Sequence, residues 1–361
     1  MPDTSTQPLL EVRDLHVTFR TRRGAVAAVD GLSFSVAPGE VLGIVGESGS
    51  GKSVSMMSML RLIRDPNCTV EGEVLFHGQN LITMPEKQLR GLRGRDISVI
   101  FQDPMTSLTP VYTVGWQIAE QIRAHESISK RAARQRAVDL LTEVGIPDPS
   151  RRVDNFPHEF SGGMRQRAVI AMALACNPQL LIADEPTTAL DVTTQAQILD
   201  LMRQLRERHG SSILLITHDM GVVSDIADRV LVMYAGRAAE QGAKSSVFRR
   251  PRHPYTWGLL GSVPRTTTTK LRRLSTIPGS PPSPLAVSPG CAFAPRCLYQ
   301  HDRCAERPAL AGGSDHLDAC WLPRDERQEL RQRAAAAAIA AGDPGDTTEH
   351  GAELPRVEGA P

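Results

Sequence analysis

The run Gly46-Glu47-Ser48-Gly49-Ser50-Gly51-Lys52-Ser53 has residue types and spacing that can hold a triphosphate. Its glycines let the backbone curl so that several N–H groups aim at one anion. A helix opening at Ser53 adds the partial positive charge of its N-terminus. In a G-x-x-x-x-G-K-[ST] loop the lysine, here Lys52, reaches the β- and γ-phosphates, and the hydroxyl, here Ser53, can coordinate Mg²⁺. A second chemical element is Leu180-Leu181-Ile182-Ala183-Asp184-Glu185. The apolar residues form a buried strand that delivers Asp184 to its carboxyl end, where open α/β sheets bind ligands. Asp184 can hold Mg²⁺ through water, and Glu185 can polarise an attacking water as a general base. From these two carboxylates alone, a solvated strand end stays open as the plainer alternative. A third element, Phe160–Arg167 (FSGGMRQR), places Ser161-Gly162-Gly163 before a helix and makes another anion-binding N-terminus. One chain with a complete phosphate loop has little need of it, whereas two chains head to tail would have each loop face the other's Ser161–Gly163.

These groups require a scaffold of strands ending at the site. The apolar runs Val41–Val45, Ile97–Phe101, Leu180–Ala183, Ile213–Thr217 and Val230–Met233 suit strands buried on both faces of a mostly parallel sheet. Helical patterns over Val54–Ile63, Lys130–Val144 and Thr194–Arg208 lie between them, so the expected class is α/β. Met56, Met57, Met59 and Leu60 read as core packing. A length of 361 residues suggests two domains, or one large domain with an appendage. With 41 Lys+Arg against 40 Asp+Glu the net charge is +1, which argues against a nucleic-acid partner held by phosphate neutralisation. The longest apolar run, Ala168–Cys176, is too short to cross a bilayer. The start, MPDTSTQPLL, lacks the basic and apolar regions of a secretory signal, so a cytosolic location is expected.

The last third changes character. From Val263 to Gly290, Thr266–Thr269 and the run IPGSPPSPLAVSPG disfavour helix and central strand and predict an extended connector. Cys291, Cys297, Cys304 and Cys320 follow with spacing C-x5-C-x6-C-x15-C. In a reducing compartment such a cluster points to a metal site rather than a disulfide framework. The tight knuckle of structural zinc sites is missing, thiolate quartets also ligate iron–sulfur clusters, and free thiols are the third reading. His301 and His316 read as surface residues. Asp325–Ala341 reads as a helix, and the polar, Gly/Pro-rich remainder as disordered.

Taken in order, the motifs over Leu9–Gly261 resemble the ATP-binding cassette (ABC) ATPases. Gly46–Ser53 looks like Walker A, Gln102 the Q-loop, Ser161–Gln166 the signature and Leu180–Glu185 Walker B. Ala189-Leu190-Asp191 looks like the D-loop and His218 the switch histidine. The resemblance implies a P-loop ATPase core with a nested helical subdomain and a small cysteine-containing C-terminal extension. It implies ATP and Mg²⁺ as ligands, the ion held by Ser53, Gln102 and Asp184. Glu185, His218 and Gln102 would be catalytic, with His218 contacting the γ-phosphate and Gln102 meeting the attacking water. Ser161, Gly162, Gly163 and Gln166 would act on a partner's nucleotide, and Asp191 would lie across the dimer interface. Three departures stand out: FSGGM replaces the commoner LSGGQ, Thr109 stands where relatives often carry Asn, and the adenine-stacking position falls near Arg23, with Phe19 the nearest aromatic.

The segment His253–Leu260 (HPYTWGLL), then VPR and the proline-rich run, resembles the C-terminal extension of the dipeptide/oligopeptide/nickel importer ATPases. That resemblance implies an ATPase domain over 9–262 with a helical subdomain about 103–177, a connector and cysteine module over 263–324, and a helix and disordered tail over 325–361. It implies ATP-driven import of peptides, with nickel or glutathione as the alternative cargo. Implied partners are two permease subunits, a second ABC ATPase subunit of the same or different kind, and an extracytoplasmic solute-binding protein. The segment Asp103–Gln117 would meet a permease helix, and the chain would lie peripherally on the cytoplasmic face of the inner membrane. A 4Fe–4S cluster on the four cysteines is implied too. A soluble ABC regulatory or repair ATPase and a redox-sensing protein are the competing classes.

Overall fold

The computed structural model describes residues 7–103, 107–188, 190–262, 277–283, 285, 287–313 and 315–340. Ala189 of the expected D-loop, residues 104–106 of the expected permease-facing segment, Thr266–Thr269 and most of the tail lie outside the described residues. Twelve strands are described: β1 (Leu10–Thr21), β2 (Gly24–Val36), β3 (Val41–Val45), β4 (Cys68–Phe76), β5 (Gln79–Asn80), β6 (Ile97–Ile100), β7 (Leu180–Asp184), β8 (Ser212–Thr217), β9 (Arg229–Tyr234), β10 (Arg237–Ala243), β11 (Ala311–Gly313) and β12 (His316–Asp318). They form an antiparallel sheet ordered β2-β1-β4-β5 and a larger sheet ordered β11-β12-β10-β9-β3-β8-β7-β6. Within the larger sheet, β9, β3, β8, β7 and β6 run parallel.

Every residue of β3, β7 and β8 is buried because both faces of the parallel sheet are covered. Side chains alternate between two apolar layers, as the period-2 pleat requires. Leu42, Ile44, Leu180, Ile182, Leu214 and Ile216 pack with the antiparallel sheet and the helix Lys52–Met59. Val41, Val45, Leu181, Ala183, Ile213 and Leu215 pack on the other face with the helices. Met56, Met59 and Leu60 are fully interior, as expected.

Between β6 and β7 the described chain is helical, with longer helices Val114–His125, Lys130–Glu143 and Gly162–Ala173. Each starts on a hydroxyl that accepts from an otherwise unpaired first-turn N–H: Thr113 from Trp116, Ser129 from Ala132, Ser161 from Met164. Their apolar faces, including Ile118, Ile122, Leu141 and Ile170, join the second layer.

The C-terminal part is built onto the large sheet. β12 pairs antiparallel with β10, Glu240 opposite Asp318, and β11 extends the edge. Glu240 is fully buried and saturated: it accepts from the Arg252 and His253 N–H groups at 2.8 and 2.9 Å and meets His316 Nε2 at 2.7 Å. This corrects the expectation for His316, which is buried rather than on the surface, because β12 carries it under the sheet edge. His301 is exposed, as expected. The helix Glu326–Ala340 is held by Arg327, whose guanidinium meets Asp318 at 2.6 Å with both side chains buried. Among the described residues, no helix is long and apolar enough to cross a membrane.

Candidate nucleotide site

β3 delivers the loop Gly46–Ser53 at its carboxyl end, and the helix Lys52–Met59 opens from it. Gly46 has no room for a Cβ, which would lie 2.2 Å from the Met233 carbonyl. Gly51 adopts φ +98, open to glycine at little cost, and a Cβ there would meet the Ala28 carbonyl at 2.4 Å. Lys52 folds back into the loop, donating to the Gly46 carbonyl at 2.7 Å and the Glu47 carbonyl at 3.0 Å. Burial lowers its pKa, opposed by the carboxylates of Glu185, Asp184 and Glu47 around it.

β7 lies beside β8, so Asp184 and Glu185 emerge next to the loop. Ser53 Oγ donates to Asp184 Oδ1 at 3.0 Å. Burial raises the Asp184 pKa, Ser53 lowers it and the neighbouring Glu185 raises it further. A hydroxyl beside a destabilised buried carboxylate is a donor set that suits a hard divalent cation. Glu185 turns into the left-handed region at φ 48, a conformation non-glycine residues seldom hold without cause. There its Oε2 accepts from Gln102 Nε2 at 3.0 Å and Thr188 Oγ1 at 2.8 Å, and its Oε1 meets His218 Nδ1 at 3.1 Å. Burial raises its pKa, but the bonds from Thr188 and His218 outweigh that, and the group ends below the usual carboxylate range. Thr188 is a contributor that sequence reasoning missed.

Gln102, Glu185 and His218 are therefore brought together beside Lys52, Ser53 and Asp184. Ser161, Gly162 and Gly163 are not: they make no hydrogen bond to Gly46–Ser53 among the described residues, and Ser161 and Gly162 are exposed. Gln166 faces inward, 2% exposed, and donates to the Pro186 carbonyl at 2.6 Å, tying the signature helix to the residue after Glu185. Asp191 caps the helix Val192–His209, accepting from Thr194 N–H at 2.9 Å and Thr194 Oγ1 at 2.7 Å. Arg23 lies in the turn between β1 and β2.

No disulfide joins the cysteines among the described residues. Burial raises the pKa of Cys291, pushes Cys297 up to about 12 and Cys320 up to about 11, with smaller contributions from neighbouring thiols. Although they share one module, no three His, Cys, Asp or Glu side chains among the described residues converge as a metal-binding group. The Cys297 thiol lies close enough to those of Cys320, Cys291 and Cys304 to feel their charge.

A phosphate loop, a carboxylate pair at the next strand end but one, and a histidine just past the strand between define a P-loop ATPase of the ABC class. The chain belongs to the ATP-binding subunits of the ABC transporters. Residues 29–188 match the ABC transporter family, and residues 239–304 match the oligopeptide/dipeptide transporter C-terminal region. It is 53% identical over 317 residues to the oligopeptide transport ATP-binding protein OppD of Bacillus subtilis (strain 168), covering 87% of this chain and 88% of that one. A putative peptide import ATP-binding protein of Brucella melitensis is 52% identical over 324 residues, covering 86% and 96%. Among solved structures, the dimeric post-hydrolysis state of the ATP-binding cassette MJ0796 with ADP and Pi aligns with a TM-score of 0.59 at 26% identity, covering 65% of this chain and 98% of that one. CbiO1 from Clostridium perfringens aligns with a TM-score of 0.57 at 28% identity, covering 67% and 91%.

Proposed function

We propose that this subunit hydrolyses ATP to drive import of di- or oligopeptides through a binding-protein-dependent ABC transporter. The observation that carries the hydrolytic part is the carboxylate of Glu185, fixed by Gln102, Thr188 and His218 beside the phosphate loop. The peptide assignment draws support from the 239–304 match and from relatives named for peptide import.

In this reading the amides of Gly46–Ser53 and the Lys52 ammonium bind the phosphates. Ser53, Asp184 and Gln102 would hold Mg²⁺, and the ion would supply neutralisation of charge on the phosphate oxygens. Glu185 polarises the attacking water, and His218 and Gln102 hold its carboxylate in place. Ser161, Gly162 and Gly163 cap the nucleotide of a second ATPase subunit, with Asp191 at the same interface. Gln166 acts within its own chain, linking that capping segment to Pro186. The ATPase domain spans 9–262 with the helical subdomain about 103–177, followed by a C-terminal region over 263–324 and a terminal helix and tail.

Two permease subunits, a second ABC ATPase and an extracytoplasmic solute-binding protein complete the assembly, with this chain peripheral on the cytoplasmic face of the inner membrane. In this reading the permease contact falls within about 103–117, and it draws support from Tyr112 and Trp116, which stack at 4.1 Å and are 46% and 47% exposed. Exposed stacked aromatics of this kind suit a protein partner. The test is uptake of a labelled oligopeptide into proteoliposomes holding the permeases, both ATPases and the binding protein. ATP-dependent uptake that disappears with Glu185→Gln supports the reading; uptake of nickel or glutathione instead of peptide moves the cargo assignment.

The resemblance to the importer family also implies a 4Fe–4S cluster on Cys291, Cys297, Cys304 and Cys320. Anaerobic purification with iron and acid-labile sulfide assays decides it: about four irons per chain establishes the cluster, and iron-free protein removes it.

A further inference from the structure

The phosphate loop is braced by residues from far along the chain. Glu47, its second residue, donates its backbone N–H to Tyr255 Oη at 2.8 Å. The Glu47 carboxylate is clamped by Arg296 through a forked pair, Nη1 to Oε2 at 2.6 Å and Nη2 to Oε1 at 3.1 Å. Tyr255 is wholly buried and Arg296 is 7% exposed. Arg296 is itself held: its Nε donates to the Pro278 carbonyl at 2.8 Å, and Tyr234 Oη lies 3.4 Å from Nη1. The rings of Tyr234, Tyr255 and Phe293 pack edge-on or tilted at 4.6 to 5.4 Å between centroids, walling in the pair. A forked arginine–carboxylate pair fixed by its own second set of partners is a rigid connection.

The position of Glu47 makes this pair more than a staple. Its carboxylate interacts electrostatically with Lys52, the residue that meets the phosphates. An unneutralised carboxylate there would repel an incoming polyphosphate. We propose that Arg296 is a positioning residue for the nucleotide: it cancels the Glu47 charge and, with Tyr255, fixes the loop curl, so the C-terminal region sets the affinity of the ATP site. This rests on Gly46–Ser53 being the phosphate site. Residues 239–304, matched as a transporter C-terminal region, thereby acquire a role in nucleotide binding.

The test measures MgADP binding to the full chain by titration calorimetry, alongside the KM and kcat for MgATP. Arg296→Gln should weaken MgADP binding and raise KM by about 10-fold while kcat at saturation stays within about 2-fold. Glu47→Gln/Arg296→Gln should recover most of the loss seen in Arg296→Gln, because the repelling charge is gone. A purely structural arginine would give no such rescue. Arg296→Gln binding like wild type, or a double variant no better than the single, overturns the proposal. Where Arg296→Gln does not fold, the uncharged Arg296→Met with and without Glu47→Gln replaces it and is read by the same rescue. Lys52→Ala is the control for the site: if it binds MgADP as wild type does, the phosphate-site reading fails, whatever Arg296 does.

Discussion

His218 Nδ1 lies 3.1 Å from Glu185 Oε1, bridging the carboxyl ends of the adjacent parallel strands β8 and β7. Because β8 lies between β3 and β7, the histidine and the carboxylate both stand over the mouth of the phosphate loop. Gln102, two residues past the neighbouring β6, closes the same carboxylate from the other side at 3.0 Å. Four strand ends thus supply one site, as the carboxyl edge of a parallel sheet allows.

Loss of the cation-facing groups should separate binding from hydrolysis. Ser53→Ala and Asp184→Asn should each lower MgATP turnover by about 100-fold and raise the Mg²⁺ concentration needed for half activity. Nucleotide affinity measured without Mg²⁺ should change little. An unchanged Mg²⁺ requirement in both variants would contradict the assignment.

Acid should destabilise the chain through His253. Burial, then the Arg327 charge, lowers its pKa from 6.5 to about 3. Between those values the unfolded chain takes up a proton that the folded chain refuses. The stability is therefore full above about 6.5 and is lost as pH falls toward about 3, with a slope of up to about 1.4 kcal/mol per pH unit. Glu185, held below its ordinary 4.5 by its hydrogen bonds, adds an acid loss only below that value. Urea midpoints followed from pH 8 to 5 should drop for wild type and flatten for His253→Asn; parallel curves would contradict the assignment.

The pair Asp318–Arg327 is buried on both sides, 2% and 5% exposed. Arg327→Ala leaves the buried carboxylate only the longer ion pairs to Arg252 and Arg324, both at 3.8 Å, and should cost about 3 kcal/mol of unfolding free energy. Limited proteolysis should then cut ahead of the helix Glu326–Ala340 at lower protease concentration. A urea midpoint equal to wild type would show that the pair holds nothing.

The parallel core was legible because its strands are short continuous apolar runs and its chemistry follows them directly, as with Val41–Val45 before Gly46 and Ile213–Thr217 before His218. The antiparallel sheet was not read: β1 and β2 alternate polar with apolar residues, and β1 carries register shifts that blur the period. β11 and β12 are three residues each and exist only because β10 offers an edge. His316 therefore looked exposed and is not. The same reason hid Arg296, since nothing in its local sequence announces a partner 249 positions away. Tyr255 was visible in the HPYT motif, but its hydroxyl's partner in the phosphate loop was not. The cysteine spacing suggested a shared ligand set; the fold brings Cys297 near Cys291, Cys304 and Cys320, and no group of three metal-ligating side chains converges among the described residues.

The most direct measurement is MgATP turnover and oligomeric state of Glu185→Gln in the full chain, by phosphate release and sedimentation. The expected result is turnover reduced by at least about 100-fold with ATP still bound and an ATP-dependent dimer accumulating, because the water is no longer polarised while Gly46–Ser53 and Ser161–Gly163 of two chains still close on the nucleotide. Wild-type turnover by that variant would contradict the assignment of Glu185 and, with it, the hydrolytic site built around it.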